Sequence, residues 1–195
     1  MGTWFDTEPG TNPGFLYQQN TLRDALVAAL NINIFIKHAD RVKMANIAQM
    51  INVLQAMILT KEDKMVLTPT YHVFEMFKSF QDATALAIDV KSPWYGKDGS
   101  IMPAISAAAV RDKDGRLHVA LVNVDPNHAV SVVANISGVA TVTSARVLTA
   151  PAVSSHNTFD QPDAVKPVAF SGAAIQSGVL KLALPPKSIV VVDAR

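Results

Sequence analysis

The sequence predicts an α+β chain: a mostly helical first part, residues 1–82, followed by an antiparallel β-sandwich, residues 83–195. Two observations carry this division. Residues 17–36 are rich in Leu and Ala, with Leu22, Ala25, Leu26, Ala29 and Leu30 spreading over more than one narrow stripe, as in a well-buried helix. Beyond residue 83 the helical pattern gives way to short β-branched runs separated by Pro, Gly, Asn and Ser. The 195 residues, 49% of them hydrophobic, suffice for a real core.

In chain order, a Gly/Pro/Asn-rich opening, Glu8-Pro9-Gly10-Thr11-Asn12-Pro13-Gly14, precedes the long helix. A short second helix is expected over 41–49. The run 51–59 is nearly continuous apolar sequence, open to either a buried strand or a helix. Thr68-Pro69 supplies an N-cap and a proline for the first helical position, and Val73, Phe74, Phe77 and Phe80 trace an apolar face to about residue 81. The break falls near Gln81-Asp82. Strands are expected over 84–90, 104–111, 117–124, 129–136, 144–149, 179–184 and 188–193, the second and third joined as a hairpin through Asp114-Gly115. Val190-Val191-Val192 reads as a central sandwich strand.

Charge and composition exclude several classes. Lys+Arg 17 against Asp+Glu 16 gives +1, balanced in both parts of the chain, which argues against a nucleic-acid partner or an anionic membrane surface. The apolar stretch 22–36 is interrupted by Arg23, Asp24, Asn31 and Asn33, too polar for a membrane span. With Cys 0 there is neither a disulfide nor a thiolate site, and with no signal peptide a cytoplasmic location is expected.

The three glutamates are Glu8 in a loop, Glu62 in a charged connector and Glu75 on an exposed helix face, a poor basis for a two-carboxylate site. The five histidines lack metal-ligand spacing, His38 reads as a helix-end residue, and no metal or cofactor is expected. Asp112-Lys113-Asp114-Gly115 reads as a hairpin turn, because no Glu closes a calcium loop there. Gln49, Asn52 and Gln55 put amides on the apolar run; such groups satisfy buried partners or bind sugar hydroxyls. Trp4 and Tyr17 offer either core packing or an apolar sugar-contact surface.

Gly2-Thr3-Trp4-Phe5 with Glu8–Gln19, then Lys37-His38-Ala39-Asp40-Arg41-Val42, Asn46–Val53 and Thr68–Phe74, resemble the α-L-arabinofuranosidases of glycoside hydrolase family fifty-one. The match is dense over 2–80 and looser to Arg195. The resemblance implies the end of a (β/α)8 barrel over residues 1–82 followed by the β-sandwich, and retaining hydrolysis of terminal α-L-arabinofuranosyl groups from hemicellulose-derived oligosaccharides, with two carboxyls about 5–5.5 Å apart and no cofactor. It places the family's nucleophile, the Glu of an Asp-Glu-Trp motif, at and before residue 1, and the acid/base Glu earlier still. No catalytic residue is therefore expected in the chain, and the isolated chain is expected to be inactive. Gln49 matches the family's sugar-binding glutamine and Trp4 an aromatic residue lining the site. Asp6 is the remaining carboxylate near the expected strand end. The expected partners are an arabinose-containing oligosaccharide and either the missing N-terminal part of the same enzyme or further copies of this chain. The competing reading is a non-catalytic β-sandwich module for carbohydrate binding or assembly.

Overall fold

A computed structural model describes residues 6, 10, 12, 14, 20–54 and 56–195. Trp4, Glu8, Tyr17 and Gln55 lie outside the described residues. The described chain builds three layers: a helical layer, a central six-stranded sheet and a three-stranded sheet.

The first helix, α1 (Leu22–Lys37), begins where Thr21 donates both its backbone N–H (2.8 Å) and its hydroxyl (2.9 Å) to the Asp24 carboxylate. That acid in the first turn also complements the positive end of the helix dipole. Leu22 and Arg23 N–H donate to the carbonyls of Ser155 and Val153, tying the helix start to the far end of the chain. The antiparallel hairpin β1 (Ile58–Lys61)–β2 (Lys64–Leu67) follows, then α2 (Pro69–Met76), capped by Thr68 as its sequence predicts and extended by a 3-10 turn through Phe80.

The remaining strands are β3 (Thr84–Ala85), β4 (Trp94–Lys97), β5 (Ser100–Pro103), β6 (Ile105–Arg111), β7 (Leu117–Asn123), β8 (Val130–Asn135), β9 (Val142–Leu148), β10 (Val168–Ala169), β11 (Ala174–Gln176), β12 (Val179–Leu184) and β13 (Ser188–Ala194). The central sheet has the order β10-β9-β13-β7-β6-β3, the facing sheet β11-β12-β8, and β4–β5 stands as a separate hairpin. All strand pairs are antiparallel.

The central sheet is buried on both faces. Val110, Ala120, Val122, Leu148, Ile189 and Val191 meet Leu22, Ala25, Ala29, Val73, Met76 and Phe77 of the helices. Ala107, Leu117, Val119, Leu121, Val190 and Val192 meet Leu180, Leu182 and Leu184 of the facing sheet. This explains the unbroken apolar runs of β7 and β13, which replace the alternation of a half-exposed strand. Alanines on both α1 and the sheet, at 25, 28, 29, 108 and 120, let the helix sit close.

The barrel fragment expected over residues 1–82 is not shown among the described residues: β1–β2 is an antiparallel hairpin, and Ile51–Ile58 is an isolated parallel bridge. Three expectations need correction. Residues 42–48 form no helix, because helix stability comes mainly from packing an amphipathic face, and here no position is buried and only 42, 45 and 47 are half-buried. The strand expected over 84–90 stops at Ala85, with Leu86 N–H adding one bond to the Ala109 carbonyl. Glu75 is half-buried rather than exposed, and accepts from Arg146 Nη1 on both carboxylate oxygens at 2.9 Å. The central placement of β13 and the 105–111/117–123 hairpin match the sequence reading, and no helix occurs after residue 100.

Candidate functional site

Gln49 lies on the irregular segment between α1 and β1, and its side chain is exposed. The segment turns back on itself: Met57 N–H donates to the Gln49 carbonyl (3.3 Å) and Ile58 N–H to the Met50 carbonyl (2.9 Å). Asn52 and Leu54 sit in the left-handed region, with φ of 59° and 54°. At Asn52 this conformation is tolerable because the short amide bonds locally. Its Oδ1 accepts Thr60 N–H at 2.7 Å and its Nδ2 donates to Thr60 Oγ1 at 2.8 Å, so this amide braces the hairpin.

Beneath the turn, Ala56 is fully buried and its carbonyl accepts from Asn20 Nδ2 (3.1 Å) and Thr68 Oγ1 (2.9 Å). Thr70 Oγ1 donates to Asn20 Oδ1 at 2.7 Å. Asn20, Thr68 and Thr70 thus fix the backbone at Ala56, next to Met57, whose N–H reaches the Gln49 carbonyl. Sequence reasoning found Thr68 as a helix cap but missed Asn20 and Thr70, whose partners are 36 and 50 residues away.

Beside this segment runs a groove of about 680 Å³, lined by Ile32, Phe35, Ile36, Met44, Phe74 and Phe77 among others. Its lining is mostly apolar, and Gln49 does not line it.

Among the described carboxylates, Glu62 is exposed in the β1–β2 turn and Glu75 is engaged by Arg146. Asp6 is exposed. No group of three His, Cys, Asp or Glu that could hold a metal occurs among the described residues. His118, missed as a partner residue in the sequence, is buried with a carboxylate on each ring nitrogen: Asp193 at 2.6 Å from Nδ1 and Asp112 at 3.1 Å from Nε2. The hydrogen bond from His118 holds Asp112 below the usual carboxylate range. Ser144 Oγ donates to the second Asp193 oxygen, so the histidine closes a polar row across β7, β13 and β9 rather than presenting a reactive nitrogen. Burial holds His72 below its ordinary value of 6.5, opposed by the nearby Glu75 and Asp163.

The family model described as the alpha-L-arabinofuranosidase C-terminal domain matches residues 1–188. The chain belongs to that family. This arabinofuranosidase C-terminal domain is 49% identical over 194 residues to a protein named intracellular exo-alpha-L-arabinofuranosidase from Bacteroides ovatus, covering 98% of the chain and 38% of the relative. The solved family-fifty-one arabinofuranosidase from Xanthomonas axonopodis pv. citri superposes with a TM-score of 0.95 at 52% identity, over 100% of the chain and 40% of the relative's. The α-L-arabinofuranosidase from Thermotoga maritima, solved with arabinose, gives 0.84 at 25% identity over 98% of the chain and 41% of the relative's. The arabinofuranosidase C-terminal domain thus spans about two-fifths of the length of these relatives. No helix of its described residues is long and apolar enough to cross a membrane.

Proposed function

We propose that these 195 residues are the C-terminal portion of an α-L-arabinofuranosidase that removes terminal α-L-arabinofuranosyl residues from hemicellulose-derived oligosaccharides. The observation that carries this is one of coverage: essentially the whole chain aligns at 49–52% identity with arabinofuranosidases more than twice its length. Residues 1–82 are then the last elements of a catalytic barrel and residues 83–195 the sandwich domain. Two features support the assignment of the first part. Apart from Asn46, the backbone amides of residues 43–51 donate to no carbonyl among the described residues, leaving strand-type hydrogen bonds for neighbouring polypeptide. The apolar groove against the same segment offers a surface for it to cover.

Retaining hydrolysis needs a carboxylate nucleophile and a second carboxyl that protonates the leaving oxygen. Both come from polypeptide outside these residues. Gln49 supplies an amide donor and acceptor to sugar hydroxyls, and Trp4 an apolar wall. The name of the Bacteroides ovatus relative supports a cytoplasmic enzyme. The comparisons do not favour a purely non-catalytic module.

The test is turnover of p-nitrophenyl α-L-arabinofuranoside by purified protein free of host hydrolases. The 195-residue chain alone gives none above background, and a chain carrying in addition the N-terminal region found in the relatives is active. Activity of the short chain that disappears with Glu8→Gln or Asp6→Asn overturns the reading.

A further inference from the structure

The β4–β5 hairpin carries an apolar face that the residues above do not use. Directly opposed residues of an antiparallel pair share a face, and successive residues alternate between faces. The register Trp94↔Pro103, Gly96↔Ile101 therefore puts Trp94, Gly96, Ile101 and Pro103 on one side, with Tyr95, Met102, Lys97 and Ser100 on the other. The Tyr95 side is partly covered. The Trp94 side is open: Trp94 is 69% and Ile101 72% exposed, and Gly96 and Pro103 are exposed with them.

Ile101 covers the glycine on this side. A Cβ added at Gly96 would lie 3.0 Å from Ile101 Cγ2, so the isoleucine lies across the bare glycine beside the indole. The hairpin is held at both ends. Ser92 Oγ accepts Ile105 N–H at 2.9 Å and the Pro93 carbonyl accepts Ala104 N–H at 2.8 Å. At the tip, Asp98 and Gly99 close a two-residue turn with φ of 51° and 82°.

Size decides what fits. With strands about 4.8 Å apart and about 3.4 Å per residue, two four-residue strands present a face roughly 10 Å by 13 Å. That is far below the roughly 800 Å² per partner of a stable protein interface. It suits a few rings of a glycan chain. A sugar ring has an apolar C–H face that stacks on an indole and hydroxyls around its rim that need polar neighbours. Asp98, exposed in the tip turn beside this face, supplies one. We propose that the Trp94 face of this hairpin is a glycan-binding platform for arabinose-decorated polysaccharide, a sugar contact that includes neither Gln49 nor Trp4. The choice of polysaccharide rests on the arabinofuranosidase reading.

The experiment is affinity electrophoresis of the full chain in native gels with and without soluble arabinoxylan, joined to fluorescence titration in a Trp4→Phe background, where Trp94 is the reporter. Wild type is retarded by arabinoxylan and its fluorescence shifts. Trp94→Ala weakens binding about tenfold or more, as truncation of an aromatic anchor does, and Trp94→Phe recovers part of it. Ile101→Asp, which keeps the indole but puts a charge on the apolar face, also weakens binding, and circular dichroism checks the fold of each variant. The platform is overturned if wild type is not retarded, if Trp94→Ala binds like wild type, or if the hairpin variants change only self-association in sedimentation. It is also overturned if binding disappears in the N-terminally extended chain while Trp94 becomes shielded from acrylamide. Turnover by that extended chain reports on the enzymatic reading separately, so either can fail alone.

Discussion

Strand β13 and the segment from Lys43 to Met57 lie in one small protein under opposite constraints. β13 is hydrogen-bonded along both edges, to β7 and β9, and covered on both faces, so Ile189 and Val190 are fully buried. The segment is held at a few points, by Asn52 on Thr60 and by the Ala56 carbonyl on Asn20 and Thr68, and it leaves Met44 75% and Met50 65% exposed. The contrast is between backbone satisfied on every side within the described residues and backbone held at a few points. A sandwich can close on itself, because its sheets cover one another; on the proposal that residues 43–51 belong to a barrel, their partners lie in other parts of it.

The difference is broken most visibly by truncating a side chain in each region. Ile189→Ala opens a cavity between the central sheet and the helices and costs about 2–5 kcal/mol, whereas Met50→Ala in the same chain changes stability by less than about 0.5 kcal/mol. Urea denaturation of both variants measures this.

A smaller effect is expected where β2 is stitched to the loop before β10. Asn157 is buried, donates to the carbonyls of Leu67 (2.8 Å) and Val165 (2.9 Å), and accepts Val165 N–H (2.7 Å). Asn157→Ala strands these groups at about 1–3 kcal/mol, again read from denaturation, and an unchanged midpoint would show that water replaces the amide.

Acid separates the regions further. His72, on α2, is held below 6.5 by burial, so the folded state binds its proton more weakly than the unfolded chain. Its contribution is intact above 6.5 and lost as pH falls below it, and His72→Gln flattens that part of the stability profile. Asp112 acts lower down. Its contribution is intact above its ordinary 3.8 and lost only as pH falls through its depressed folded value, and Asp112→Asn removes that branch. Stability measured from pH 7 to pH 2 distinguishes the two. Gln49→Ala should move stability least, by less than about 0.5 kcal/mol, because its side chain is exposed. A loss of about 1–3 kcal/mol would make it a structural amide instead.

Legibility followed the same divide. β7, β12 and β13 were readable because their residues are buried by elements of the chain itself, so apolar runs and turn residues point to one answer. The β4–β5 and β11–β12 hairpins were missed although Asp98-Gly99 and Ser177-Gly178, both with positive φ at each residue, carry the signal of a two-residue turn. The irregular course of residues 42–48 was not readable, since their apolar residues read as a helix face that the described residues do not bury. At the candidate site, Gln49 was singled out as an amide on an apolar run and then by resemblance. Its support by Asn20 and Thr70 depends on contacts far apart in sequence.

Amide hydrogen exchange tests the divide directly. In the 195-residue chain, the amides of β7 and β13 exchange only through global unfolding, while those of residues 43–45, 47 and 48 exchange within seconds. In a chain extended by the N-terminal region of the relatives, these five residues gain protection by several orders of magnitude and β13 is unchanged. Strong protection of the five in the short chain, or none gained in the extended one, would contradict the proposal that this segment is a strand awaiting its neighbours.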